Sequence, residues 1–360
     1  MTISSEQSPI SATSQPDALQ VSIIMPCRNE AGWIRKCLES VAANDFPKDH
    51  LELLVLDGMS DDGTPAIVEE FTAAHPWVRL LENPRKTAPA ALNIGIAAAR
   101  GKVIMRMDAH TEYSPDYISK LIHWLDKSGA DNVGGLCITL PSADTSKARA
   151  IALGESHPFG VGNSLFRLGV SEPCWTETVP FGCYRRDVFD RIGFFDEELV
   201  RNQDIEFNLR LRRAGGKILL VPDVASRYYT RPSFRKLWRT HYQNGYFNVL
   251  VIRKMKGRIT FRQAIPPLFV IALLTTGVLS PWFWWMRVMF AACLTAYLIP
   301  LVTCSLIAAA RHGPRVGLSL AAVFPTLHFS NGFGTLVGIW NFQILHGSAA
   351  AKNADIPITR

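Results

Sequence analysis

Carboxylate side chains follow two short apolar runs near the start of the chain. Residues 26–30 read Pro-Cys-Arg-Asn-Glu, and residues 57–64 read Asp-Gly-Met-Ser-Asp-Asp-Gly-Thr. The second segment has two glycines, which allow close backbone approach, and residues that can cap a following helix. Its carboxylates can accept hydrogen bonds from a uracil N–H and from ribose hydroxyls. Either segment alone also fits a loop with capping acids, but the two in succession favour a nucleotide pocket.

A third segment, at the end of another apolar run, places a carboxylate and an imidazole two residues apart. Asp108 and His110 flank a single alanine, so both side chains can reach one metal ion. Oxygen and nitrogen ligands suit magnesium or manganese, with diphosphate oxygens completing the coordination shell. Such an ion would neutralise a departing nucleotide diphosphate. The alternative is a capping aspartate beside a surface histidine.

A fourth segment, residues 202–206, opens a predicted helix with the sequence Asn-Gln-Asp-Ile-Glu. A carboxylate at this position often serves only as a helix cap. In the catalytic interpretation, Asp204 is a general base that takes the proton from an attacking acceptor hydroxyl. Attack of that oxygen on an anomeric carbon in a single displacement inverts the configuration.

The elements that must position these residues alternate between strands and helices. Apolar runs occur at residues 21–26, 51–57, 78–82 and 103–108, with helix-periodic stretches between them. This alternation predicts an α/β domain over residues 21–232, with parallel strands and helices on both faces of the sheet. Because open α/β sheets bind ligands at the carboxyl ends of their strands, the acidic segments should meet in one crevice.

The last third of the chain has a different composition. Charged residues become rare after Arg262, and three apolar stretches at residues 264–286, 288–310 and 316–345 are long enough to span a bilayer. We therefore predict a transmembrane region over residues 263–345, in which the first two stretches either cross the membrane or form a re-entrant hairpin. A basic amphipathic helix over residues 233–262 precedes it and suits a membrane surface, or else packs on the domain.

Charge and cysteine content indicate the location of the predicted domain. The formal net charge is +7, and the basic residues cluster beside the apolar stretches, which favours a membrane partner over nucleic acid. The positive-inside rule places the α/β domain in the cytoplasm and residues 346–360 outside. The seven cysteines form no C-x-x-C pair, as is typical of a reducing compartment. Residues 1–20 are polar and predict a disordered tail without a signal peptide.

Taken together, the segments resemble the family 2 glycosyltransferases, which have a GT-A (Rossmann-like) fold with a mixed sheet, over roughly residues 21–229. The resemblance implies a UDP-sugar donor, a divalent metal and one role for each matching residue. The implied nucleotide-sugar-binding residues are Pro26, Arg28, Glu30, Asp57 and Asp108. Asp108 corresponds to the first acid of the family's D-x-D motif, with His110 in place of the second. Asp204 corresponds to the catalytic base of the E-D motif, with Gln203 in place of the glutamate.

Within the family, the D-A-H segment, residues 181–186 and 242–246 and the three apolar stretches resemble the succinoglycan-biosynthesis glucosyltransferase branch. This implies an inverting, nonprocessive enzyme at the inner (plasma) membrane that moves glucose onto a polyprenyl-diphosphate-linked saccharide in exopolysaccharide biosynthesis. The Q-x-x-R-W motif of processive relatives is absent. Arg185 and Arg186, with Gln203, are the candidate acceptor-binding residues, because guanidinium groups match phosphates in geometry. A solvated basic turn is the alternative for the two arginines.

Two other functions remain open from the sequence. A polyprenyl-phosphate sugar synthase would use the same donor pocket with a bare lipid phosphate as acceptor. An inactive scaffold that only binds a nucleotide sugar would explain the departures at His110 and Gln203, although Asp108 and Asp204 are both retained.

Overall fold

The computed structural model describes residues 19–230, 233–257 and 261–347, without the side chains of residues 261 and 262. The predicted N-terminal tail falls outside these residues except for its last two positions. The predicted C-terminal tail falls outside them except for residues 346 and 347.

One mixed sheet forms the centre of the first two thirds of the chain. Its strands are β1 (Val21–Cys27), β2 (Leu51–Asp57), β3 (Val78–Glu82), β4 (Val103–Arg106), β5 (Thr111–Tyr113), β6 (Asn132–Leu140), β7 (Cys174–Trp175), β8 (Cys183–Arg185) and β9 (Ile218–Tyr229). The order is β3-β2-β1-β4-β8-β6-β9-β5, and β7 pairs with β9. The first four strands in this order are parallel, whereas β8 is antiparallel to both of its neighbours. The α/β fold class and its four leading strands are confirmed.

Thirteen helices are seen in the described residues. They are α1 (Ile34–Ala42), α2 (Thr64–Ala74), α3 (Ala88–Ala98), α4 (Tyr117–Ser128), α5 (Ser146–Gly154), α6 (Pro158–Val161), α7 (Leu165–Leu168), α8 (Asp187–Ile192), α9 (Gln203–Arg213), α10 (Phe234–Lys254), α11 (Phe261–Leu279), α12 (Trp284–His312) and α13 (Pro314–Gly338). A 3₁₀ turn at Lys48–His50 precedes β2, and a π-helix at Ile339–Ile344 follows α13.

The sheet carries helices on both faces, because its central strands are buried on both sides. In β1, Ile23 and Met25 pack with α1, α2 and α4, whereas Ile24 packs with α3, α8 and α9. The strand is therefore apolar at nearly every position rather than at alternate ones, as parallel strands covered on both faces are. The same alternation continues in β2, so the carboxyl ends of the two strands are held at one edge of the sheet.

Helix α10 is the helix that the sequence predicted over residues 233–262, and it lies in close contact with α13. A Cβ atom on Gly245 would lie 2.2 Å from the carbonyl oxygen of Asn331, and one on Gly334 would lie 2.0 Å from that of Tyr242. Glycine is thus required on both helices where they cross. The apolar face of α10, including Phe247, is buried, so much of it is covered by protein.

The C-terminal helices differ in how far they are covered. Of the helices in the described part of the chain, α12 is long and apolar enough to cross a membrane. Helix α13 is mostly covered by its neighbours, and α11 has a shorter apolar stretch. Of the three predicted spans, the one at residues 288–310 therefore corresponds to a helix that is long and apolar enough to cross a membrane. Apolar side chains are nevertheless exposed along α11 at helical spacing: Ile265, Leu268, Ile271, Leu274 and Val278.

A buried carboxylate joins the first two strands to the turn before β4. The Glu52 side chain, 1% exposed, accepts hydrogen bonds from Ser22 Oγ at 2.6 Å and from the backbone N–H of Arg100 at 2.7 Å. The Arg100 Nε also donates to it at 3.1 Å. Burial alone would raise the pKa of this carboxyl, but the hydrogen bonds from Ser22 and Arg100 outweigh burial and lower the pKa.

Replacing Glu52 by Gln should lower the free energy of unfolding at neutral pH by about 1.5–3 kcal/mol, because charge-assisted hydrogen bonds are lost. Since the pKa is lower in the folded chain than its ordinary 4.5, the contribution is fully present above that pH. It should decline as the pH falls through the folded-state pKa. Denaturant unfolding in detergent at two pH values measures both effects. Glu70→Gln, which removes an exposed partner of Arg35, should have little effect, and equal losses in both variants would contradict the assignment.

Candidate active site

The loops after β1 and β2 are joined into one unit at the carboxyl edge of the sheet. The backbone N–H of Asn29 donates to Ser60 Oγ at 2.8 Å, and the Asn29 side chain exchanges hydrogen bonds with Asp61 at 2.9 and 3.1 Å. The N–H of Glu30 donates to Thr64 Oγ1 at 2.8 Å. Asn29 has a left-handed backbone with φ 56°, a conformation that asparagine tolerates well. The two segments predicted to bind the nucleotide are thus brought together.

Asp57 ends β2 with its carboxylate held in place. It accepts hydrogen bonds from the Ser60 backbone N–H at 2.9 Å and from Ser60 Oγ at 2.5 Å, and it is 6% exposed. Arg28 lies next to it, since a Cβ on Gly58 would be 3.2 Å from the Arg28 stem. Pro26 is buried within β1 opposite Leu56. Asp57 and Arg28 therefore lie at the same strand ends, with Pro26 beneath them.

Glu30 connects the first loop to the end of β4. Its Oε1 lies 3.4 Å from His110 Nδ1, and both side chains are largely buried. The Nε2 atom of His110 is also buried and has no hydrogen-bond partner within the described residues. Histidines that bind metal ions commonly have this arrangement: a carboxylate contacts one ring nitrogen, and the other nitrogen is left to bind the ion.

Arg106 is a site residue that the sequence interpretation missed. Its Nη2 donates to Asp108 Oδ1 at 2.7 Å, and its guanidinium lies 5.6 Å from the centre of the Phe181 ring. Burial acts to lower the pKa of Arg106, but the charges of Asp108 and Asp204 outweigh it and the pKa is raised. Arg106 is thus a permanent cation between two carboxylates. A basic residue inside an otherwise apolar strand, two positions before Asp108, was the available signal.

Asp204 faces the same cavity as Asp108 and Arg106. It is the second residue of α9, and the buried Gln203 beside it also lines the cavity. The backbone of Asp108 is fixed by the Tyr113 hydroxyl, which accepts a hydrogen bond from the Asp108 N–H at 2.7 Å. The structure therefore brings together the predicted base and the predicted metal-binding aspartate, which are about one hundred residues apart in sequence.

The cavity extends from these carboxylates to the C-terminal helices. Its volume is about 1370 Å³, above the roughly 300–1,000 Å³ typical of small-ligand sites. Its distal wall is formed by α10, α11, α12 and α13, through residues that include Thr240, His241, Asn244, Asn248, Gln263, Phe269, Cys293, Tyr297, His328 and Asn331. The region predicted as a membrane anchor therefore also lines the cavity.

The structure places the predicted acceptor residues Arg185 and Arg186 away from the cavity. Arg185 pairs with Val103, the first residue of β4, and so lies at the edge of the sheet opposite Asp108. Its side chain donates to the carbonyl oxygen of Leu125 at 2.6 Å, while Arg186 donates to that of Ala99 at 2.8 Å. Both guanidinium groups are used to hold helix and strand ends, and neither lines the cavity.

Of the two predicted metal ligands, Asp108 lines the cavity, and His110 lies beside Glu30. No group of three or more His, Cys, Asp or Glu side chains suited to a metal occurs within residues 19–230, 233–257 and 261–347. The Asp108 carboxylate and the open His110 Nε2 do fit magnesium or manganese in donor chemistry. These two residues fit a divalent ion whose other ligands come from a bound diphosphate.

Comparison with protein families identifies the domain that holds this site. A model described as glycosyl transferase family 2 matches residues 22–193. Residues 22–193 form a family 2 glycosyltransferase domain. The matched range includes β1 to β4 with the Asp57 and Asp108 segments, and it ends shortly before Asp204.

Two curated relatives extend the similarity of this family 2 glycosyltransferase beyond the matched domain. A Methanococcus voltae dolichyl N-acetyl-α-D-glucosaminyl phosphate 3-β-D-2,3-diacetamido-2,3-dideoxy-β-D-glucuronosyltransferase is 29% identical over 268 residues, 72% of this chain and 82% of that protein. The succinoglycan biosynthesis protein ExoA of Rhizobium meliloti (strain 1021) is 29% identical over 279 residues, 76% of this chain and 83% of that protein. Both alignments are longer than the 172 residues that the family model covers.

A solved structure agrees in fold. The mannosyltransferase PcManGT from Pyrobaculum calidifontis, in complex with GDP-Man and Mn²⁺, has a TM-score of 0.56 and 20% identity. The match covers 93% of this chain and 91% of that one. The mixed sheet of this glycosyltransferase is thus GT-A-like.

We predict opposite outcomes for substitutions of Arg106 and Arg186. Arg106→Gln should reduce sugar transfer by about 100-fold, because the cation between Asp108 and Asp204 is lost. Arg186→Gln should lower the melting temperature by about 2–4 °C and leave transfer unchanged, because its partners are backbone carbonyls at the opposite edge. Thermal unfolding and a transfer assay on both variants measure this. Reduced acceptor affinity in Arg186→Gln would restore the acceptor role that the structure argues against.

Proposed function

We propose that this chain is an inverting, nonprocessive glycosyltransferase that moves a hexose from a UDP-sugar to a polyprenyl-diphosphate-linked saccharide. The observation that carries this proposal is the shared cavity of Asp108, Arg106 and Asp204, which continues between α10, α11, α12 and α13. A soluble sugar acceptor has no need of a cavity wall built by an apolar helical region.

The donor binds at the carboxyl ends of β1, β2 and β4. Asp57 is held by Ser60 in a fixed orientation, which suits a carboxylate that accepts the N–H of a uracil ring. Arg28 and Glu30 lie in the loop that follows β1, and Pro26 is buried within that strand. Asp108 lies at the end of β4, so the diphosphate extends from the β1 and β2 loops toward Asp108 and the cavity.

Asp204 is the general base in this proposal. Its carboxylate takes the proton of the acceptor hydroxyl while that oxygen forms a bond to the anomeric carbon. The bond from that carbon to the nucleotide diphosphate breaks on the opposite side, and the diphosphate leaves with the electron pair. Arg106 holds Asp108 in place and offsets the negative charge that gathers between the carboxylates and the leaving group. Gln203 lies beside the base and contacts the acceptor.

A divalent metal ion, magnesium or manganese, would be held by Asp108 and His110. When bound, such an ion neutralises the diphosphate as it leaves. Glu30 contacts His110 at Nδ1, which would leave Nε2 as the nitrogen that binds the ion. The Pyrobaculum calidifontis neighbour was solved with Mn²⁺, which is consistent with this use of the fold.

The names of the relatives support a lipid-linked acceptor. The Methanococcus voltae protein is named for transfer to a dolichyl phosphate-linked sugar, and the Rhizobium meliloti protein for succinoglycan biosynthesis. We therefore assign the chain to exopolysaccharide biosynthesis, with glucose as the sugar that the succinoglycan branch implies. Polar and aromatic side chains of α11 and α12, such as Gln263 and Tyr297, line the cavity and suit the saccharide part of such an acceptor.

The surface of the C-terminal helices supports a position at the inner membrane. Trp282 and Trp284 are 71% and 74% exposed, and apolar side chains are exposed along α11 and α12. A soluble surface rarely exposes so many large apolar side chains together. We propose a multi-pass anchor formed by α11, α12 and α13, with the family 2 domain in the cytoplasm. Nucleic acid is not a partner in this proposal.

The function is tested by screening donors and acceptors with the purified protein. Transfer from UDP-glucose to a polyprenyl-diphosphate-linked saccharide supports it. Product formed on undecaprenyl phosphate alone would instead identify a polyprenyl-phosphate sugar synthase. Binding of UDP without transfer to any acceptor would identify an inactive scaffold.

Asp204→Asn should reduce turnover by at least about 100-fold while leaving UDP affinity unchanged, because an amide cannot take the hydroxyl proton. Asp187→Asn is the matched control, since Asp187 also lies in the first turn of a helix but is exposed. Single-turnover transfer and calorimetric UDP titration measure the two quantities. Normal transfer by Asp204→Asn would remove Asp204 from the role of base.

His110→Ala should weaken Mn²⁺ binding in the presence of UDP, and Glu30→Gln should weaken it by about 10-fold or more. The loss of Mn²⁺ affinity should be larger in His110→Ala, because this change removes a ligand, whereas Glu30→Gln removes only the group that orients it. Electron paramagnetic resonance of free Mn²⁺ gives the affinities without relying on activity. The exposed His123 provides the control in His123→Ala. Unchanged Mn²⁺ affinity in His110→Ala would exclude His110 as a ligand.

A further inference from the structure

The loop that delivers Asp204 is held from outside the family 2 domain. Asn202, at the residue before α9, has a left-handed backbone with φ 60° and ψ 18°. Its side chain caps no helix; instead, its Nδ2 donates to the carbonyl oxygen of Asn244 on α10 at 2.9 Å. The chain thus turns sharply into α9 at a residue whose side chain is fixed to a different helix.

A second hydrogen bond reinforces the first. The Nε of Arg201 donates to Oε1 of Gln243 at 3.3 Å, and Gln243 is 2% exposed. Gln243 and Asn244 are adjacent on α10, as Arg201 and Asn202 are adjacent in the loop. Two consecutive residues of the loop are therefore bound to two consecutive residues of the helix, which fixes both the position and the direction of the loop.

Helix α10 is itself held against α13 at the residues next to Gln243 and Asn244. Gly245 lies against the Asn331 carbonyl, and Gly334 lies against the Tyr242 carbonyl, each too closely for a Cβ atom. Contact between two helix backbones leaves little freedom to slide or rotate, because no flexible side chain lies between them. The segment of α10 that binds the loop is thus anchored to α13, whose residues His328 and Asn331 line the cavity.

We propose that Asn202 and Gln243 are positioning residues for the base, so that the C-terminal helical region sets the direction of the Asp204 carboxylate. This proposal rests on the proposed function, because it takes Asp204 as the base. It assigns a role to Gln243 and Asn244 of α10. Their role here is to hold the loop Arg201–Asn202 through a side-chain oxygen and a backbone carbonyl.

The direct test uses substitutions that keep shape and remove one hydrogen bond. Asn202→Asp tolerates the left-handed backbone but cannot donate to the Asn244 carbonyl. Gln243→Ala removes the acceptor for Arg201, whereas Gln243→Glu retains an oxygen there. We expect kcat to fall about 10–100-fold in Asn202→Asp and Gln243→Ala, with the KM values of donor and acceptor unchanged, because a small misplacement of a catalytic group has that cost. Gln243→Glu should recover most of the wild-type kcat.

Lys254→Met is the control for general loosening of α10. Lys254 joins α10 to Asp196 at 2.6 Å and to Glu198, both before α9 but away from Asp204. It should lower the melting temperature and leave kcat unchanged.

Two results would overturn the proposal. One is wild-type kcat in both Asn202→Asp and Gln243→Ala. The other is a loss of kcat that follows melting temperature across all variants, Lys254→Met included. Asp204→Asn separates this proposal from the proposed function. If Asp204→Asn transfers sugar normally, Asp204 is not the base. If Asp204→Asn is inactive while Asn202→Asp and Gln243→Ala have wild-type kcat, Asp204 remains the base and the positioning role is excluded.

Discussion

The structure of the site depends on one largely buried cation, Arg106, beside the carboxylate of Asp108. Arg106 lies at the end of an apolar strand, paired with Asp108 and within the field of Asp204. Charges removed from water interact strongly, so two carboxylates facing one cavity need a compensating group that stays charged. The guanidinium supplies this charge at any physiological pH. The placement of β4 between β1 and β8 then fixes where that charge lies relative to the donor pocket.

The sequence predicted the first half of the domain well because its signals are local. Each of the four leading strands is a short apolar run that ends in polar residues, and parallel pairing brings those ends to one edge. The Asp57 and Asp108 segments could therefore be assigned to one edge of the sheet without knowledge of any contact. The mixed part of the sheet was harder, since β5, β7 and β8 have only two or three residues each. Such short strands carry too little pattern to be recognised.

The errors of prediction concern contacts between distant parts of the chain. Arg185 and Arg186 looked suited to phosphate, but antiparallel pairing of β8 with β4 carries them to the far edge. The apolar pattern of α10 matched a membrane surface as well as a protein neighbour, and hydrophobicity alone does not separate the two. The cavity wall formed by α10 to α13 depends on helix crossings that periodicity does not reveal. Arg106 was missed because no residue near it in sequence showed that Asp204 would approach it.

The glycine contacts between α10 and α13 have a consequence for how this enzyme can be divided. A domain that ended at residue 232, where the composition changes, would lack the Asn244 carbonyl to which Asn202 donates. Exchange of the helical region between relatives would need α10 and α13 to move as a pair, together with the loop before α9. The unit that can be transplanted is thus defined by backbone fit between two helices rather than by the limits of the family 2 domain.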